Sequence, residues 1–263
     1  MLEKIARLGY ASKAFIYAVV GLLAVAAAAN RGGTVTDTRG ALRVILSHPF
    51  GNTVLFILAL GLCGYAVWRI LEAVFDPERH GTGGKGLVVR IGNVIKALIY
   101  GGVGMEAFRL ARGLRASDAS DAKVQSWTAA ILSWPMGEWI VAIIGAIAAA
   151  YGVSEIIAAI KDNEDEKKDL SSLPRPTARM LNRICRFGVA ARALLIVALG
   201  VLLIRAALRH DPGEAMGLRG SILELAGNGP GTWVLALIAV GLIAYAVDQA
   251  LHARYRHIHS PVP

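Results

Sequence analysis

The chain has 263 residues, 55% of them hydrophobic, and a mean hydropathy of +0.52. That is too apolar for an ordinary soluble domain, and its long apolar runs point to membrane-spanning helices. The formal charge of +9 suits the basic loops of a membrane protein better than a nucleic-acid surface, and the two cysteines, Cys63 inside an apolar run and Cys185 near a helix start, argue against a disulfide between them.

Six spanning helices are predicted, near 8–28, 52–75, 90–111, 137–160, 184–207 and 231–252. Each offers the roughly 20 apolar residues that a hydrocarbon core of about 30 Å requires. The first run, Ala14 to Ala29, ends in an Ala26-Ala27-Ala28 that resembles a signal-peptidase site. It is read as a retained helix, because it opens a unit that is written twice more inside the chain.

The repeat is carried by a stripe of residues four apart, which a helix lays along one side. Gly9, Lys13, Tyr17 and Gly21 form it first; Gly92, Lys96, Tyr100 and Gly104 form it again; Gly188, Arg192, Ile196 and Gly200 form it a third time, without the aromatic. The second helices repeat as well. Pro49-Phe50-Gly51 is matched by Pro135-Met136-Gly137 and more loosely by Gly229-Pro230-Gly231, and each last glycine is followed at one fixed spacing by Tyr65, Tyr151 or Tyr245. Four residues beyond those tyrosines stand Arg69, Glu155 and Gln249.

Between the two helices of each unit lies a short amphipathic segment: Thr38 to His48 with Leu42, Ile45 and Leu46; Gln125 to Trp134 with Trp127, Ile131 and Leu132; Leu218 to Ala226 with Ile222, Leu223 and Leu225. These read as interfacial helices. Trp134, Trp139 and Trp233 suit an aromatic belt at that surface. The opposite side, with both termini, carries 18 Lys and Arg against 10, which places both termini in the cytoplasm of a bacterial inner-membrane protein. The expected architecture is one all-α membrane domain over 1–263, with units of about 5–75, 88–160 and 183–256 and a charged cytoplasmic linker at 161–182. Three parallel hairpins would close around a pseudo-threefold axis along the membrane normal.

Leu8-Gly9-Tyr10-Ala11, Arg39-Gly40-Ala41-Leu42, Pro49-Phe50-Gly51, Phe187-Gly188-Val189-Ala190-Ala191-Arg192 and Leu242-Ile243-Ala244-Tyr245 give the chain a family likeness. It resembles bacterial membrane proteins known as a domain of unknown function, number 1206, with three tandem two-helix repeats. The resemblance covers roughly residues 5 to 256 and is weakest at Ile91-Gly92-Asn93-Val94. It implies the fold and no activity.

The candidate site is the basic trio Lys13, Lys96 and Arg192. A charge at the bilayer centre costs about 3 kcal/mol on insertion scales, and each of the three shares its stripe with glycines that allow close helix contact. Tyr17 and Tyr100 would add hydrogen-bond donors, and Tyr65, Tyr151 and Tyr245 would line a central path. The competing reading is structural: pairing of the trio with Glu72, Glu155 and Asp248, or snorkelling of the cations to headgroups. Glu106 and Arg109, like Arg205 and Arg209, are read as interfacial. No histidine falls in the middle of a span, which argues against a haem held within the bundle. Gly81 to Gly86 lacks phosphate-loop spacing and is read as a flexible loop. No catalytic set, cofactor or metal is expected, and no nucleic-acid partner. The function expected is a non-enzymatic structural or accessory subunit that contacts bilayer, anionic headgroups or a larger membrane complex. The alternative is a transporter, channel or binder for a small anion or anionic amphiphile.

Overall fold

The computed structural model describes residues 2–29, 35–75, 83–114, 120–161, 174–227 and 232–255. Over these residues the chain is helical, without strands. The long helices are α1 (Leu2–Ala28), α3 (Gly51–Phe75), α4 (Gly84–Ala111), α6 (Gly137–Ile160), α7 (Arg175–Arg209) and α9 (Thr232–Tyr255). The short helices α2 (Thr38–Leu46), α5 (Ser120–Leu132) and α8 (Leu218–Gly227) each join the two long helices of a unit. α1, α3, α6, α7 and α9 are long and apolar enough to cross a bilayer, so the chain is a multi-pass membrane protein. α4 is 28 residues long, but Arg90, Lys96 and Glu106 interrupt its apolar run and it is not among those five.

Local chemistry sets the breaks. Asp37 caps α2 by accepting a hydrogen bond from the Gly40 amide at 2.8 Å. Phe50 and Met136, each between a proline and a glycine, have φ of 62° and 61°, a left-handed bend that stops one helix and starts the next. The glycines that follow have no room for a side chain. A Cβ on Gly51 would lie 2.4 Å from the Ile45 carbonyl oxygen, and one on Gly137 would lie 1.9 Å from that of Ile131. The third break, Gly229 to Gly231, lies outside the described residues, as does 162–173 of the charged linker. α7 begins at Arg175, with Pro176 in its first turn, so the end of the expected linker is helix. Gly84 to Gly86, expected in a loop, open α4. The short helices differ in how they seat: α2 buries Ala41, Leu42 and Ile45, and α8 buries Ile222, whereas on α5 Trp127 faces outward and Thr128 is the buried residue.

The outward faces of the long helices are rich in leucine, isoleucine, valine and phenylalanine, and Trp134, Trp139 and Trp233 are exposed. That is the surface a lipid solvent demands. Inside, tyrosines take the place that aliphatic side chains hold in a water-soluble core: Tyr10, Tyr17, Tyr65, Tyr100 and Tyr245 are buried together with Leu55, Leu62, Leu195 and Leu242.

The most extensive helix pairings run between units. α3 packs along α4, α6 along α7, and α9 returns to α1, so each joins the second long helix of one unit to the first long helix of the next. Glycines of the stripe make these seams tight. A Cβ at Gly21 would meet Ile243, one at Gly104 would meet Cys63, and one at Gly200 would meet Ala149. Within units, α1 packs on α3 and α7 on α9, but α4 and α6 make no comparable backbone contact among the described residues.

Candidate functional site

Lys13 lies at the centre of the bundle. Burial in the α1 stripe leaves it 5% exposed, and four tyrosine rings surround its ammonium. Nζ stands 4.5 Å from the Tyr100 centroid, 4.8 Å from Tyr65, 5.8 Å from Tyr10 and 5.9 Å from Tyr245. It also donates to Tyr65 Oη at 3.4 Å. Ring faces attract a cation by about 0.5–2 kcal/mol each, the more so when water is excluded. The rings brace one another edge to face: Tyr10 on Tyr65, Tyr65 on Tyr100, and Tyr17 on Tyr245. The Tyr17 and Tyr100 hydroxyls share a hydrogen bond at 3.4 Å.

A second buried cation, Arg69, shares the same acceptor. Its guanidinium donates to Tyr65 Oη at 2.8 Å, Tyr10 Oη at 2.8 Å, Glu72 at 2.5 Å and Asn93 at 3.3 Å. Trp68 donates to the other Glu72 oxygen at 2.8 Å. Arginine suits this post because its planar fork reaches several acceptors at once. In the third unit the equivalent turn holds Asp248, 1% exposed, with Gln249 donating to it at 2.8 Å and His252 beside it at 3.4 Å. Gln249 Oε1 is buried without a hydrogen-bond partner among the described residues.

The trio therefore divides. Lys13 is caged. Arg192 lies 5.0 Å from the Tyr245 ring and 4.0 Å from the Glu155 carboxylate, which also accepts from Tyr151 at 2.9 Å. Lys96 is half-buried, 5.7 Å from the Tyr151 ring. Of the acids that could have paired with the trio, Glu155 does so with Arg192, while Glu72 pairs with Arg69 and Asp248 with His252. The structure brings Lys13, Tyr17, Tyr65, Tyr100, Tyr245 and Arg192 into one cluster and leaves Lys96 and Tyr151 at its side.

That side is where α4 and α6 stay apart, and unit-by-unit comparison shows why. A Cβ on Gly9 would fall 2.5 Å from Tyr65 Cβ, and one on Gly188 would fall 2.2 Å from the Tyr245 nitrogen; at Gly92, their counterpart, nothing lies within 4 Å. One turn away, Gly61 takes Ser12 and Gly241 takes Ala191. The second unit has Ile147 and Ile95 at those places, 61% and 48% exposed. Two β-branched side chains thus stand where small residues let the backbones of the other units touch. This substitution was present in the sequence but visible only once the units were aligned on both helices.

Sequence reasoning also missed a set of arginines six residues before the trio: Arg7, Arg90 and Arg186. Arg7 donates to the carbonyls of Ala253 and Arg254 at 3.0 and 2.6 Å, and Arg186 to those of Ala159 and Ile160 at 2.5 Å each. Arg7 and Arg186 thus satisfy the last carbonyls of the neighbouring unit's second helix and complement its dipole.

Comparison with known proteins agrees with this repeat. The family described as Domain of Unknown Function (DUF1206) matches three times, at residues 8–76, 91–162 and 187–256. The Uncharacterized protein YxxB of Bacillus subtilis (strain 168) is 30% identical over 257 residues, covering 98% of this chain and 92% of that protein. No solved structure matches. With three copies of the family's domain spanning most of its length, the chain belongs to the DUF1206 family.

Proposed function

We propose that this protein is a non-enzymatic inner-membrane protein that admits an anionic amphiphile from the bilayer, through the opening between α4 and α6, toward the cation–tyrosine cluster. The observation that carries this reading is the second unit's departure from the other two: open space at Gly92, with Ile95 and Ile147 where the others have small residues. The opening is apolar at its lips and basic within, with Lys96 over Tyr151 and Arg192 behind. In this reading α4 is the sixth span. Leu87, Ile91, Val94, Leu98, Ile99 and Met105 are among its exposed residues and suit lipid, while Glu106 is buried. The seams α3–α4, α6–α7 and α9–α1 then form one pseudo-threefold ring, and the basic excess at the termini's end puts both termini in the cytoplasm.

The test is native mass spectrometry after extraction in a mild detergent, comparing wild type with Lys96→Gln. A count of bound lipids that falls by one in the variant supports the reading; the same count in both, or bare protein in both, overturns it. A second reading, an accessory subunit whose opening receives a partner's membrane helix, draws on the apolar character of Ile95 and Ile147. A co-purifying protein that leaves when Ile147→Trp fills the opening would favour it.

A further inference from the structure

At the end of the bundle that carries the short helices, a cleft of about 330 Å³ is lined by Arg39, Lys123, Val124, Trp127, Thr128, Ile131, Val141, Ile144 and Leu203. Arg39 comes from α2, which packs on α4, and Lys123 from α5, which packs on α6. The rest of its lining comes from α5, α6 and α7, which sets the cleft apart from the opening at Gly92. Its walls are aliphatic, with Val141 and Leu203 buried and Ile144 facing outward.

The cations at its rim stand out from their neighbours. Arg205 pairs with Glu214 and Glu224, Arg209 with Glu214, and Arg219 with Asp121. Arg39 and Lys123 have no side-chain hydrogen bond or ion pair among the described residues. Two positive side chains lining one cleft with an aliphatic wall and an exposed indole do not suit a free hydrated ion, which would leave the wall wet. They suit a molecule with a negative head and an apolar tail. The volume is at the lower end of the roughly 300–1,000 Å³ typical of ligand sites, enough for a headgroup and the start of a chain whose remainder lies in the bilayer.

We propose that this cleft seats an anionic phospholipid, its phosphate between Arg39 and Lys123 and its first methylenes against Ile131, Val141, Ile144 and Leu203. This lipid is a second one, held apart from the α4–α6 opening, and its site does not depend on Lys96.

The experiment uses the full chain in nanodiscs of phosphatidylcholine containing a minority of phosphatidylglycerol. Bound phosphatidylglycerol is counted by native mass spectrometry for wild type, Arg39→Gln with Lys123→Gln, and Lys96→Gln. The double variant is expected to lose about tenfold in affinity for one phosphatidylglycerol, the loss of two charge-assisted contacts, while Lys96→Gln keeps that lipid. Equal occupancy in wild type and double variant overturns the assignment. A lipid lost only in Lys96→Gln also overturns it, and leaves the inner opening as the sole site. Inorganic phosphate added to lipid-free detergent solution separates the sources: binding of phosphate alone, with the same dependence on Arg39 and Lys123, assigns the cleft to a soluble anion and overturns the lipid proposal.

Discussion

The first and second units are built from the same helices at the same spacing, yet one closes and the other does not. In the first, Gly9 lies against Tyr65 and Ser12 against Gly61, and the tyrosine hydroxyl becomes an acceptor for Lys13 and Arg69 together. In the second, Gly92 faces open space, Ile95 and Ile147 stand where the other units have small residues, and Tyr151 answers to Glu155 beside a half-buried Lys96. The third unit closes like the first, through Gly188 on Tyr245 and Ala191 on Gly241. The difference teaches that the repeat supplies a frame, within which a few side chains at one helix seam separate a closed copy from an open one.

The largest effect should come from the shared acceptor. Tyr65→Phe leaves two buried cations each short of an oxygen and is expected to cost about 3–5 kcal/mol. Its second-unit counterpart, Tyr151→Phe, is expected to cost about 1 kcal/mol. Denaturation in mixed detergent micelles measures both, and equal losses would break the comparison. Next comes Gly188→Ala, expected to destabilise by about 2–3 kcal/mol because its methyl meets the Tyr245 backbone. Gly92→Ala, in open space, is expected to stabilise by about 0.5–1 kcal/mol through helix propensity alone; destabilisation there in the same assay would mean the seam is closed.

Cysteine pairs sharpen the point without energetics. In a Cys63→Ala, Cys185→Ala background, Ile5→Cys with Gly64→Cys, whose Cβ atoms would stand 3.8 Å apart across the closed first unit, should cross-link under mild oxidation. Ile95→Cys with Ile147→Cys should stay reduced, since a disulfide needs Cβ atoms about 3.5–4.5 Å apart. Gel mobility reads the outcome, and an efficient second-unit cross-link would remove the opening. The smallest effect belongs to the rim: Arg39→Gln and Lys123→Gln should each change stability by no more than about 0.5 kcal/mol, so a change in lipid occupancy there reports binding and not unfolding.

Much of this fold is legible in the residues. The apolar runs give the long helices, the Pro-x-Gly breaks mark where the second helices begin, and the helical spacing of Leu42 and Ile45 gives the buried face of α2. These are local properties, set by bilayer thickness, backbone sterics and a period of 3.6 residues. The candidate site was legible only as a set of unusual residues. The stripe placed Lys13, Tyr17 and Tyr100 on matching faces but did not show that Lys13 is ringed by tyrosines, that Arg69 joins it, or that Glu72 answers Arg69.

The sequence by itself determined that the chain is a threefold-repeated, multi-pass helical membrane protein whose stripe carries a cation in every unit. Only the tertiary structure decided that α3 pairs with α4, α6 with α7 and α9 with α1, that four tyrosine rings surround one ammonium, and that the second unit alone stands open. The reason is physical. Periodicity fixes what each helix turns toward lipid and what it turns inward. Which inward faces meet is set by the fit of glycine, serine and alanine on one helix to bulk on another, between residues some 50 positions apart such as Ser12 and Gly61.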